Sequence, residues 1–179
     1  MWVVGAVLFT LPLAIPILTP EGFLAFQAAT GLGPKHYENN RVGAMPQYFS
    51  DRFGWRNMAE VVAQVYAELP EAERSRAAIV AGNYGEAGAI NYYGPELGLP
   101  TAYSTHNNHF FWGPPAEPSL IIRIGGAAER YLEIFEEAEE VARVHSTYGM
   151  PYESDLPILL LRKPRRPLAE LWAEGKNFI

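Results

Sequence analysis

Ala77-Ala78-Ile79-Val80-Ala81-Gly82-Asn83-Tyr84-Gly85-Glu86-Ala87-Gly88-Ala89-Ile90 is the stretch on which the fold turns. Its first five residues are apolar without polar alternation, as in a strand buried on both faces. Gly82 and Gly85 bracket a tight turn, and residues 86–93 then read as a helix closed by Gly94-Pro95. Strand, turn and helix in this order form the repeating unit of an α/β domain.

Working outward, Trp55, Met58, Val61, Val62, Val65, Tyr66 and Leu69 recur at helical spacing and make one continuous apolar face, stopped by Pro70. On the other side, residues 101–104, 120–124 and 158–161 read as strands, and 140–144 as a further one. Residues 127–137 read as a helix with Tyr131, Leu132, Phe135 and Ala138 inward, so that Glu133, Glu136, Glu137, Glu139 and Glu140 form a solvated helix face. A last helix over 167–173 carries Leu168, Leu171 and Trp172 toward the sheet. The expected architecture is a three-layer α/β domain over residues 51–179, with a mainly parallel sheet covered by helices.

With 179 residues, 49% of them hydrophobic, the chain can build one domain with a real core but hardly two. The absence of cysteine excludes disulfide frameworks, Cys-ligated metal and thiol catalysis. A net charge of −6, and no basic cluster interleaved with aromatics, argue against a nucleic-acid partner.

No charge precedes Glu21, and in residues 1–18 only Gly5, Thr10, Pro12 and Pro16 fall outside the hydrophobic set. That composition suits a membrane. No basic residue stands ahead of it as in a signal peptide. The expectation is that residues 1–20 are the end of a transmembrane helix, in a chain that is the carboxy-terminal part of something longer. Pro12, Pro16 and Pro20 should end that helix and lead into a linker arm over 21–50, which holds a short amphipathic run at 23–29 and a Gly/Pro/Asn-rich stretch at 31–46.

Two polar loops should follow neighbouring strands. Gly82-Asn83-Tyr84-Gly85-Glu86 lies where open α/β sheets bind ligands. Its G-x-x-G-x-x-G spacing, and the charge of Glu86 in the first helical turn, speak against a nicotinamide cofactor, so no cofactor is expected. The second loop contains His106, Asn107, Asn108, His109 and Trp112. Two histidines lack a convincing third ligand, so no metal is expected. Asn83, Tyr84, Glu86, His106, Asn107, Asn108 and Trp112 are therefore candidate substrate-binding residues, because amides beside aromatic rings suit a sugar: the ring stacks on its apolar face and the amides meet its hydroxyls. Glu86 with His106 as a general acid/base pair, in a self-contained soluble α/β enzyme or small-ligand-binding domain, is the alternative. The serines sit in no nucleophile motif, and the basic tract Arg162, Lys163, Arg165, Arg166 reads as an exposed turn.

Several strings together carry a family resemblance: Met45-Pro-Gln-Tyr-Phe-Ser-Asp-Arg-Phe-Gly-Trp55, Ala81-Gly-Asn-Tyr-Gly-Glu-Ala-Gly-Ala-Ile90, Tyr93-Gly-Pro-Glu-Leu-Gly-Leu-Pro100, Ser104-Thr-His-Asn-Asn108 and Trp112-Gly-Pro114. Over residues 18–172 the chain resembles the carboxy-terminal soluble region of bacterial family 39 glycosyltransferases, the integral-membrane, dolichyl-phosphate-mannose-protein-mannosyltransferase-like proteins. The resemblance implies a last transmembrane helix followed by an extracytoplasmic α/β domain at the bacterial inner membrane. It also implies an enzyme type that takes sugar from a polyprenyl-phosphate carrier. The family's catalytic acids lie in loops among membrane helices that have no counterpart here, so the resemblance assigns no catalytic residue to this chain. Its implied partners are the membrane, the remaining transmembrane part of the same enzyme, and a sugar or glycan acceptor. Thr105 stands where the family pattern has a glycine, and Asn91 where an aspartate is common.

Overall fold

The computed structural model describes residues 2–34 and 43–178. The chain divides into two compact units, Met1–Phe53 with Thr147–Glu153, and Gly54–Ser146 with Ser154–Ile179.

In the first unit, α1 (Trp2–Ala14) and α2 (Pro20–Thr30) are followed by a single turn, α3 (Gln47–Ser50). The prolines act otherwise than the sequence suggested. Pro12 lies inside α1 near its end, where few backbone bonds remain to be lost. Pro20 opens α2 at the first helical position, which needs no N–H; Thr19 caps it by accepting from Gly22 N at 3.2 Å, and Gly31 closes it in the left-handed conformation. Much of the expected linker arm over 21–50 is therefore helical, and residues 35–42 of that arm lie outside the described residues. Phe23 stacks on Phe49 at 4.3 Å, beside Met45, Leu13, Leu24, Phe53 and Tyr148. The Tyr148 hydroxyl donates to the Glu21 carboxylate, which lowers that group's pKa and ties residues 147–153 into the unit.

At 13 residues, α1 is about 20 Å long. Among the described residues no helix is long and apolar enough to cross a membrane. Even so, α1 is apolar all round and exposed: Trp2 is 93% accessible, and Val3, Val4, Leu8 and Phe9 are all more than half accessible.

The second unit is a mixed α/β fold. It contains α4 (Trp55–Glu68), α5 (Glu71–Arg74), β1 (Ala77–Ala81), α6 (Tyr84–Tyr93) and β2 (Ala102–Ser104). There follow β3 (Leu120–Ile124), α7 (Ala128–Tyr131), β4 (Phe135–Val144), β5 (Leu156–Pro164) and α8 (Leu168–Glu174). The five strands form one sheet in the order β2-β1-β3-β5-β4. β1 pairs parallel with β2 and β3, whereas β3 with β5 and β5 with β4 are antiparallel. The sheet is thus mixed rather than mainly parallel. A continuous apolar run such as Ile158 to Leu161 tells that a strand is buried on both faces and is silent on its direction.

Residues 127–137 do not form the expected helix. Only α7 is helical there, and β4 starts at Phe135. The acidic run lies on an edge strand, where charge discourages pairing with a further strand. Lys163 reaches Glu137 at 2.5 Å, and Arg143 reaches Glu140 at 2.7 Å.

One face of the sheet, Ile79, Ala81, Ile122, Ile124 and Ile158, packs against Met58, Ala59, Val62 and Val65 of α4 and Ile90 of α6. The other face, Ile121, Leu159 and Leu161 with Val80, meets Phe135, Tyr131 of α7 and Leu168 and Leu171 of α8. Asn91 fastens α6 to β2 by accepting from Ala102 N at 2.7 Å and donating to Ala102 O at 3.2 Å. An aspartate could only accept, so this contact requires the amide.

Candidate functional site

β1 delivers Gly82 and Asn83 to the amino end of α6, where a capping box forms. Asn83 Oδ1 accepts from Glu86 N at 2.9 Å. The Glu86 carboxylate turns back and accepts from Gly82 N at 2.6 Å, Asn83 N at 3.3 Å and Asn83 Nδ2 at 3.0 Å. A Cβ on Gly82 would stand 2.9 Å from Glu86 Oε2 and would push the carboxylate from its place. Glu86 is 3% exposed. Burial raises its pKa, against the charge of Arg123 and the two backbone N–H bonds. The chain's own carboxylate takes up the donors at this helix start, where a phosphate would otherwise sit.

The second loop is a 3-10 turn, Asn107–Trp112, and it touches the first. His106 is buried, its ring stacks on Tyr84 at 5.2 Å, and its Nδ1 accepts from Tyr84 N at 3.4 Å. Its Nε2 is buried without a hydrogen-bond partner. Asn107 N donates to Asn177 O, and Asn177 N to Thr105 O, so the chain's end is laid alongside the loop. Asn83, Tyr84, Glu86 and His106 are thus brought together. Asn108 is exposed, and Trp112 lies against His109, ring centroids 4.0 Å apart and tilted by 40°, and lines a shallow hollow of about 260 Å³ with Asn91, Pro95 and Pro100. Burial lowers the His109 pKa. Glu86 makes no bond to His106, and its oxygens are engaged by three donors, so an acid/base pair between them has no geometric support. Among the described residues no three His, Asp or Glu side chains are placed to hold a metal ion.

A cleft of about 320 Å³ opens on the α7/α8 face beside Gly82 and Thr105. The sequence reading missed the residues that line it. Arg123 Nε donates to the Tyr131 hydroxyl at 2.5 Å and Nη1 to Val80 O at 3.3 Å. Gly126, at φ 91°, lets Tyr131 in: a Cβ there would lie 2.7 Å from its ring. Trp172 and Asn177 complete the wall. A signal was present in Leu120-Ile121-Ile122-Arg123-Ile124, since a lone charge in a strand buried on both faces must have a purpose or a partner.

Comparison of the chain with protein-family models, with curated proteins and with solved structures finds no match.

Proposed function

We propose that this chain is the non-catalytic, extracytoplasmic carboxy-terminal region of a bacterial membrane glycosyltransferase, mannosyltransferase-like and using a polyprenyl-phosphate sugar donor. In this reading the loops at 82–86 and 105–112 form an acceptor-binding surface and α1 sits in lipid at the inner membrane. The observation that carries the acceptor surface is the contact of the two loops through Tyr84 and His106. It leaves Tyr84 54% exposed, and the second loop presents Phe111 and Trp112 at 67% and 64%. Rings open to solvent are what the apolar face of a sugar stacks on. Support for the membrane comes from α1, because a helix apolar on every side needs an apolar surround and this one is exposed. The resemblance of residues 18–172 supplies the transferase class.

The test is made on the full chain. It should bind phospholipid vesicles and lose that binding in Val4→Glu/Leu8→Glu, two exposed positions whose replacement leaves the core intact. It should bind mannose oligosaccharides, at least tenfold more weakly after Tyr84→Ala or Trp112→Ala at unchanged melting temperature. Oligosaccharide binding indifferent to both aromatic changes refutes the acceptor surface, and sugar transfer by the chain alone refutes the non-catalytic reading.

A further inference from the structure

Three arginines of the described residues are half-buried: Arg74, Arg123 and Arg162. Two are neutralised within the chain, Arg74 by Glu71 and Arg162 by Glu73, whose carboxylate it grips at 2.8 Å through both Nε and Nη2. Arg123 differs. Its two bonds go to a phenol and a backbone carbonyl, neither of which carries charge, and they fix the guanidinium at the carboxyl end of β3. Charged groups held away from water need compensation; the Tyr131 ring, 5.5 Å from the guanidinium carbon, and the Glu86 charge supply part of it, but the hydrogen bonds of Arg123 go to a phenol and an amide, not to an anion.

The cleft beside Arg123 offers the space for a compensating group. None of the residues lining it is acidic. The Glu86 carboxylate feels the charge of Arg123, but its oxygens are taken up by the donors of the capping box. Thr105 and Asn177 add polar side chains, while Ile121, Leu168, Leu171 and Trp172 provide an apolar wall. The volume, about 320 Å³, falls in the range of small-molecule sites, and the position at the carboxyl ends of β1 and β3 is where open α/β sheets bind ligands.

We infer that the Arg123 cleft is a binding site for a small organic oxyanion, one anionic head seated on the Arg123 guanidinium and a compact apolar body against Leu168, Leu171 and Trp172. Tyr131 is a positioning residue that holds the guanidinium in place through its hydroxyl. The site lies on the α7/α8 face of the sheet and does not depend on the glycan reading of the loops or on the membrane.

Phenyl phosphate serves as the probe, with inorganic phosphate and benzyl alcohol as its head and its uncharged counterpart, titrated calorimetrically into the full chain in neutral detergent. Phenyl phosphate should bind saturably and at least tenfold more tightly than either fragment, and the Trp172 indole N–H resonance should shift with it. Arg123→Gln should weaken phenyl phosphate at least tenfold and leave benzyl alcohol unaffected; Tyr131→Phe should weaken it several-fold. Should Arg123→Gln not fold, the anion preference of the unaltered chain and the Trp172 shift decide alone. Absence of phenyl phosphate binding, equal binding of benzyl alcohol, or binding with a stationary Trp172 signal overturns the inference.

Discussion

Strand β3 sends Ile122 and Ile124 to one face of the sheet and Ile121 and Arg123 to the other, and the two faces are built differently. On the first, the 14-residue α4 and the 10-residue α6 lie over the strands, and Ile79, Ile122, Ile124 and Ile158 are completely buried. On the second, the cover is the 4-residue α7 and the 7-residue α8, and a cleft remains between them with a guanidinium inside it. The longer helices exclude water from the middle of the strands, and the charge that this face does carry, Arg162, is paired with Glu73. Short helices leave gaps, and gaps at the carboxyl ends of strands are where polar side chains and ligands can meet.

The largest expected effect separates these faces directly. Ile122→Ala should cost about 4 kcal/mol, because a close-packed surround cannot collapse onto the void, whereas Ile121→Ala, beside the open cleft, should cost nearer to about 2 kcal/mol. Equal losses in denaturant unfolding would mean that the two faces are packed alike.

A smaller effect comes from the helix start between them. Glu86→Gln keeps one acceptor oxygen but sets an NH₂ group against the donors of Gly82 and Asn83, and should cost about 1–2 kcal/mol. The sign of its pH dependence follows from its raised pKa. The folded state holds the proton more tightly than the unfolded one, so the Glu86 contribution is present below the ordinary value of 4.5 and is lost as pH rises through the raised one. Glu73 runs the other way: Arg162 lowers its pKa, so its contribution is present above 4.5 and disappears as pH falls through the lowered value. Unfolding measured across the acid range should show Glu86→Gln removing only the loss on the rising side. A variant whose profile instead changes below 4.5 would place the carboxylate in an environment other than the buried capping box.

The smallest effect belongs to the edge. Lys163→Ala removes an exposed ion pair with Glu137 on β4, and the melting temperature should not change measurably. Glu137→Ala, which takes a charge off β4 itself, should increase self-association at high protein concentration, because charge on this edge acts against further strand pairing; unchanged association would overturn that role.

The acidic segment shows why part of the fold was not legible. Tyr131, Leu132, Phe135 and Ala138 satisfy a helical period, yet the chain turns at Gly125-Gly126, makes one helical turn and runs on as β4. Phe135 and Ala138 are inward in the strand as they would have been in a helix. What decides between the two is the row of backbone groups that β5 presents, a partner more than 10 residues away in the chain with no trace in the local pattern. For the candidate site, the adjacency of Gly82–Glu86 and His106 followed from strands expected to be neighbours, and the two loops do touch. The Arg123 cleft did not, since it takes residues from β3, α7, α8 and the end of the chain.

Elements with local causes were legible in the sequence: α4 from its apolar period, β1, β3 and the core of β5 from their apolar runs, β2 as the short stretch after Gly98-Leu99-Pro100, and the strand–turn–helix from glycines at 82 and 85. The direction of β5, the place of the acidic run on an edge strand, the return of the Glu86 carboxylate to its own helix start, and the pairing of Arg123 with a phenol and a carbonyl all came from tertiary structure. Periodicity records which side of an element is buried. Which partner buries it, and in which direction, depends on contacts between residues far apart in the chain.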